Sequence, residues 1–292
     1  GCGAFDMRTM GGKHLSFRAQ GVVSVKIGCL GRGNMAMARI GGILAKGLAR
    51  PEEIMGSART AATRETAKQA YGIATVPENK QVAIWADVLL LAVKPAVFPE
   101  VIPQIREEIR EDTLVVSIAA GRSLAYLEQA FGDGGKGTRK LIRCMPNTPA
   151  LVGEGCTGVC AGEEVSPEEL HKVLELLGAF GMVHVVPESL MDVVVGVSGS
   201  APAYVFLFLE AMADEAVAQG MPRKQAYAFA AQAVLGSARM LLETGRHPGE
   251  LKDMVCSPGG TTIQAVKVLE EKGFRAAVMD AVEACIEKSR NL

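Results

Sequence analysis

The stretch VSVKIGCLGRGNMA, Val23 to Ala36, carries a β-branched apolar run straight into a glycine-rich turn. Within it Gly31, Gly33 and Ala36 stand at the spacing G-x-G-x-x-G/A. Glycine at the first position allows the tight turn and glycine at the second lets a pyrophosphate approach the backbone, while the following helix aims its N-terminal N–H groups at the phosphates. Alone the motif is a weak signal, since a glycine turn needs no ligand. Placed after the first strand of a series of βαβ units, it reads as a dinucleotide site.

That series extends outward from Val22. Short apolar runs at VSVKIGCL, EIMGS, DVLLLAV, TLVVSIA and RKLIRCM predict strands, with CTGVC and MVHVV extending the sheet. Stretches such as TAATRETAKQAYG and PEVIPQIREEIRE between them have apolar and charged residues interspersed at helical spacing. After Pro187 strand-like runs disappear, and YVFLFLEAMADEAVAQG, RKQAYAFAAQAVLGSARMLLETG and FRAAVMDAVEACIEKS follow as helices. These carry more apolar surface than a one-sided helix needs, so a second subunit is expected to cover them; a deeply packed monomer is the plainer alternative. The fold expected is an α/β Rossmann-like N-terminal domain over 22–187 with an all-α dimerisation domain over 188–292. Residues 1–21, which lack the apolar core of a signal peptide, read as a tag or leader and are set apart. The short FGDGGKG segment reads as a glycine-rich turn.

Composition narrows the function. The chain has 292 residues, 49% hydrophobic and 22% charged, enough for a sizeable core and two domains. Its 31 basic and 32 acidic residues leave a net charge of -1, so no field attracts nucleic acid. The most apolar run, Tyr204 to Leu209, stops at Glu210, short of the roughly 20 residues that span a bilayer, and no membrane association is expected. Seven cysteines form no Cys-x-x-Cys pair and the four histidines do not cluster near them, which leaves no zinc or disulfide reading. The cysteines read as small reduced hydrophobes of a cytoplasmic protein.

In the NAD form of the fingerprint an acid about twenty positions on accepts the ribose hydroxyls. Here Gly56 to Thr60 reads GSART, with no acid. Ser57 and Arg59 suit the extra phosphate of NADP instead, so NADPH is expected, with NADH left open. The plainer alternative is that Arg59 only begins the next helix on a solvated surface.

With AVKP (Ala92 to Pro95), SIAAG (Ser117 to Gly121), MPNTPA (Met145 to Ala150), SGSAPAY (Ser198 to Tyr204) and HPGELKDMVCSPGGTTI (His247 to Ile263), the chain resembles the pyrroline-5-carboxylate reductase family, in order from about Val22 to the C-terminus. The resemblance implies reduction of the cyclic imine of 1-pyrroline-5-carboxylate to L-proline with NADPH or NADH, the last step of proline biosynthesis, by a homodimer or a larger homo-oligomer. It implies a cofactor along Gly31, Arg32, Gly33, Asn34, Met35 and Ala36, at Ser57, Arg59 and Asn79, along Ala92, Val93, Lys94 and Pro95, and at Ala119, Ala120 and Gly121. It implies a substrate pocket between the domain junction of one subunit, with Glu188 and Ser200, and the partner's Gly260, Thr261 and Thr262. The second threonine of that pair meets the imine nitrogen in the family, which makes Thr262 the implied catalytic residue. The chain departs from the family at Arg32, where a small residue is common, and at Ala201, where glycine is common.

The residues agree with that chemistry. The substrate carries a carboxylate, and free backbone N–H groups at a helix N-terminus hold an anion, with glycines such as Gly259 and Gly260 letting it come close. The bland alternative is that Thr261 or Thr262 merely caps the helix. Hydride transfer to a protonated imine asks little acid–base work of the protein, and no Ser-His-Asp set or carboxylate pair is present. His247 before Pro248 reads as structural, and Lys94 as shaping the cofactor loop. The nearest rival is another NADP-linked reductase of the same two-domain plan, such as a hydroxyacid dehydrogenase or a deazaflavin-linked reductase; the hydroxyacid enzymes place a catalytic lysine after the domain junction, and Val193 to Tyr204 has none. A non-catalytic NADPH-sensing module would have no need of SPGGTT.

Overall fold

The computed structural model describes residues 25–31, 34–132 and 139–291. The leader at 1–21, Arg32, Gly33 and most of the FGDGGKG turn lie outside the described residues. Strands and helices alternate as β1 (Ile27–Leu30), α1 (Asn34–Ala45), β2 (Ile54–Ser57), α2 (Ala61–Tyr71), β3 (Ala74–Val76), α3 (Asn79–Trp85), β4 (Val88–Leu91), α4 (Phe98–Ile105), β5 (Leu114–Ser117), α5 (Leu124–Phe131), β6 (Lys140–Met145), β7 (Gly155–Ala161), α6 (Pro167–Leu177) and β8 (Gly181–Val185). Everything after β8 is helical: α7 (Met191–Val194), a π-helical turn, α8 (Ala201–Ala218), α9 (Arg223–Thr244), α10 (Pro248–Val255), α11 (Thr261–Glu271) and α12 (Phe274–Arg290). The α/β first half and helical second half are those expected.

The strands stand in the order β3-β2-β1-β4-β5-β6-β7-β8. Neighbours β3-β2, β2-β1, β1-β4, β4-β5 and β7-β8 are parallel. Strands β1, β4 and β5 are buried along their whole length, with Ile27, Leu30, Leu89, Leu91, Val115 and Val116 in the core, as strands covered on both faces must be. Strand β3 escaped the sequence reading because it is three residues long and none of them is buried. Helix α4 is shorter than PEVIPQIREEIRE suggests: it ends at Ile105, and buried Arg139 takes the carbonyls beyond it, Nη2 donating to Arg106 O at 2.7 Å and Nη1 to Ile109 O at 3.2 Å.

By contact the described residues group into two units. The first runs through Ser117 and includes Ala125–Ile142 and Ala161–Phe180; the second takes Ile118–Leu124, Arg143–Cys160 and Gly181 onward. In the second, α12 packs against α7 and the π-helical turn: Ser289 Oγ donates to Asp192 Oδ1 at 2.6 Å, and a Cβ on Gly196 would sit 2.7 Å from Ile286 Cγ1. Its long helices leave large apolar side chains in solvent, Leu207 at 68%, Phe229 at 68% and Met279 at 70% exposure. Residues 188–218 form a continuous helical stretch of 31 residues, long and apolar enough by composition to cross a membrane, although its longest purely apolar run stops at Glu210.

Candidate active site

The nucleotide end is built by strand register. Leu30 pairs with Ser57 on one side and Leu91 on the other, and Leu91 pairs with Ser117, so the carboxyl ends of four strands stand level where the strand order reverses. A crevice at such a reversal is where open parallel sheets take their ligands. Gly31 follows β1 at φ +89, and a Cβ there would lie 2.7 Å from Val93 Cγ1 and 2.9 Å from Ala92 O. Only glycine fits between this turn and the AVKP segment, where Ala92 N–H donates to Leu30 O at 2.9 Å. Helix α1 begins at Asn34, with Met35 and Ala36 in its first turn, so its N-terminus follows directly on the glycine turn. Pro95 opens a short 3₁₀ turn behind exposed Lys94, whose carbonyl accepts from Val97 N at 2.9 Å; Lys94 shapes this loop.

At the end of β2, Ser57 is 2% exposed and donates from Oγ to Asn79 Oδ1 at 2.7 Å. Asn79, the first residue of α3, donates onward to Gln104 Oε1 at 3.0 Å. Thr60 caps α2, accepting from Thr63 N at 3.2 Å, so Arg59 stands just before the helix rather than in it. The guanidinium of Arg59 is exposed and ion-paired with Glu100 of α4. Arg64 holds the same loop from α2, Nη1 donating to Ala58 O at 2.8 Å and to Arg59 O at 3.1 Å. These residues fit a 2′-phosphorylated nucleotide: a turn with no room for a side chain, a helix N-terminus, and a cation past β2 with no acid on the strand end. Ala119, Ala120 and Gly121 continue the chain from β5 and group with the second unit.

In the second unit Glu188 accepts through Oε1 from the backbone N–H of Leu124 at 2.6 Å and from Arg143 Nη1 at 3.0 Å. Arg143 is a residue that sequence reasoning missed, although a charge inside the apolar strand RKLIRCM was a signal: side chains like it are buried only when paired. Beside the pair, burial first and the Glu188 charge second push the Cys160 thiol up to about 11, against the pull of Arg143. Cys160 is therefore a neutral core group. Asn147 of MPNTPA bridges two segments, accepting from Cys156 N at 2.8 Å and donating to Ser198 O at 3.2 Å. Around them lies an open hollow of about 430 Å³ that includes Asn147, Cys156, Val197, Ser198, Ala201 and Phe206, so the methyl of Ala201 is part of its wall. Ser200 Oγ accepts from Cys285 Sγ at 3.2 Å; its neighbour Tyr204 is held above its ordinary value by a hydrogen bond to the same thiol, with burial adding to it.

The SPGGTT segment folds as an uncapped helix start. Gly260 is the N-cap of α11, extended at φ -77 and ψ 172, with no side-chain cap. Thr261 and Thr262 fall on the first two helical positions, and neither hydroxyl closes the first turn. Neither threonine is the N-cap, and the first N–H groups of the helix have no side-chain cap among the described residues. Among the described residues no hydrogen bond joins 260–262 to Glu188 or Ser200 of the same chain. His247 caps α10, its Nδ1 accepting from Gly249 N at 3.0 Å, the structural role expected of it.

A nucleotide-binding parallel sheet joined to a helical half with an exposed apolar surface defines an NAD(P)H-dependent oxidoreductase of the two-domain type. Residues 188–292 match the family model described as pyrroline-5-carboxylate reductase dimerisation, and residues 26–121 match NADP oxidoreductase coenzyme F420-dependent. The pyrroline-5-carboxylate reductase of Escherichia coli (strain K12) is 52% identical over 267 residues, covering 91% of this chain and 98% of its own. The structure of a pyrroline-5-carboxylate reductase from Coxiella burnetii superposes with TM-score 0.86 at 34% identity, over 92% of this chain and 98% of that one. The Plasmodium falciparum pyrroline carboxylate reductase with NADP bound does so with TM-score 0.80 at 30% identity, over 91% and 97%. The chain belongs to the pyrroline-5-carboxylate reductase family.

Proposed function

We propose that this protein reduces the cyclic imine of 1-pyrroline-5-carboxylate to L-proline with NADPH. The observation that carries the reading is the uncapped start of α11 at Gly260, which leaves backbone N–H groups for a carboxylate and two hydroxyls beside them. Bound NADPH supplies the hydride. The first turn of α11 takes the substrate carboxylate, and Thr262 Oγ1 meets the imine nitrogen and holds or delivers its proton. Hydride arrival at the imine carbon sends the C=N pair to nitrogen, which keeps its proton as a secondary amine. The protein's share of the catalysis is orientation.

The functional halves are 22–187 for the nucleotide and 188–292 for assembly and substrate. The apolar faces of α8, α9 and α12 support a homodimer, and the family model over 188–292 supports the same assembly. The stretch 188–218 is then covered by protein rather than lipid, as its interruptions by Asp192, Ser198, Ser200 and Pro202 favour. The pocket is completed across the dimer, Gly260, Thr261 and Thr262 of one protomer serving Glu188 and Ser200 of the other. The buried thiols of Cys29, Cys144 and Cys160, used as core hydrophobes, support a cytoplasmic setting. The test is oxidation of NADPH, followed by its absorbance, on addition of 1-pyrroline-5-carboxylate; a folded, NADPH-binding sample that shows no turnover would overturn the reading.

A further inference from the structure

Helix α4 reaches both Arg59 and Asn79, the residues expected at the far end of a bound nucleotide. Glu100 pairs with Arg59, and Gln104, one turn on, accepts from Asn79 Nδ2 at 3.0 Å while its own Nε2 donates to Glu100 O at 2.9 Å. The strand end lacks the acid that would receive a ribose hydroxyl, yet the fold brings a carboxylate to the cation there from 41 residues further along the chain. A guanidinium engaged by a carboxylate is the same fork that would engage a phosphate, so the two anions compete for one set of donors. Both side chains of the pair are more than half exposed, so the exchange requires no unfolding and the pair itself is weak.

We propose that Glu100 is a specificity-determining residue that stands in for the 2′-phosphate on Arg59 and lowers the preference for NADPH over NADH. The proposal rests on Arg59 reading that phosphate. Binding NADPH costs the displacement of Glu100 and leaves a carboxylate near the incoming dianion; binding NADH leaves the pair untouched. Gln104 keeps Asn79 in place in either case.

Calorimetric titration with adenosine 2′,5′-bisphosphate and with adenosine 5′-monophosphate separates these contributions without turnover. Glu100→Gln is expected to tighten the bisphosphate roughly two- to five-fold, the size of one exposed ion pair, and to leave the monophosphate unchanged. In an Arg59→Ala background the same substitution is expected to tighten the bisphosphate by less than it does in the wild type and to leave the monophosphate unchanged. An unchanged bisphosphate Kd in Glu100→Gln, while Arg59→Ala still weakens binding, overturns the role of Glu100 alone. An equal change for both ligands does so too, since that is the mark of a merely structural residue at the start of α4. Unchanged bisphosphate binding in Arg59→Ala overturns the reading of Arg59 and the proposal with it, leaving reduction of the imine untouched.

Discussion

Arg143 and Glu188 meet at 3.0 Å, and the carboxylate oxygen that receives the guanidinium also receives the first N–H of α5, Leu124 N, at 2.6 Å. One oxygen thus ties a strand, a helix start and the turn at 188–190 within the second unit. The two halves of the pair are unequal, Arg143 being 7% and Glu188 34% exposed in their side chains. Glu188→Ala strands a buried cation and an amide donor, and is expected to cost about 1–3 kcal/mol in a urea titration. Arg143→Met leaves a carboxylate that water still reaches, and its loss should be smaller.

Thr262→Ala should lower turnover at least tenfold while the urea midpoint barely moves, because no cap is lost. Ser166 provides the comparison: its Oγ accepts from Glu169 N at 3.2 Å while Glu169 Oε2 accepts from Ser166 N at 3.0 Å. Ser166→Ala should cost about 1 kcal/mol of stability and leave kcat unchanged. Wild-type turnover in Thr262→Ala at saturating substrate would remove Thr262 from the chemistry.

Gly31→Ala places a methyl 2.7 Å from Val93 Cγ1 on a backbone at φ +89. Loss of about 1–3 kcal/mol is expected, with NADPH binding weakened by far more than the stability change explains. Fluorescence titration of the nucleotide on protein shown by circular dichroism to be folded measures the second effect.

The Cys160 thiol, raised from 9.0 to about 11 by burial and the neighbouring Glu188 charge, sets a pH dependence. Below pH 9 both folded and unfolded states keep the proton and nothing changes. Between 9 and about 11 the unfolded thiol ionises and the folded one does not, so stability falls as pH rises through this window. Cys160→Ala should flatten that part of the curve, as read by thermal melts across it.

Leu207→Glu with Phe229→Glu puts charge on the exposed apolar faces of α8 and α9. Light scattering should show the wild type as a dimer or larger and the variant shifted to monomer, with activity lost, as the proposed shared pocket requires. An active wild-type monomer at assay concentration would refute the assembly.

What was legible in the sequence was what neighbours along the chain decide. The glycine turn at Gly31, the alternation of buried strands with helices and the absence of an acid at Gly56 to Thr60 are local, because backbone angles and side-chain periodicity act over a few residues. Short β3 did not announce itself, since three residues without burial carry no period. The tertiary structure alone decided who partners whom. Glu100 reaches Arg59 across 41 residues, Glu188 reaches Arg143 across 45 and Leu124 across 64. It also decided that Gly260, not a threonine, is the N-cap of α11, with Thr261 and Thr262 on its first two helical positions. Ion pairs and hydrogen bonds depend on distances in space, and a linear spacing of residues holds no such distance until the sheet order and helix docking have set it.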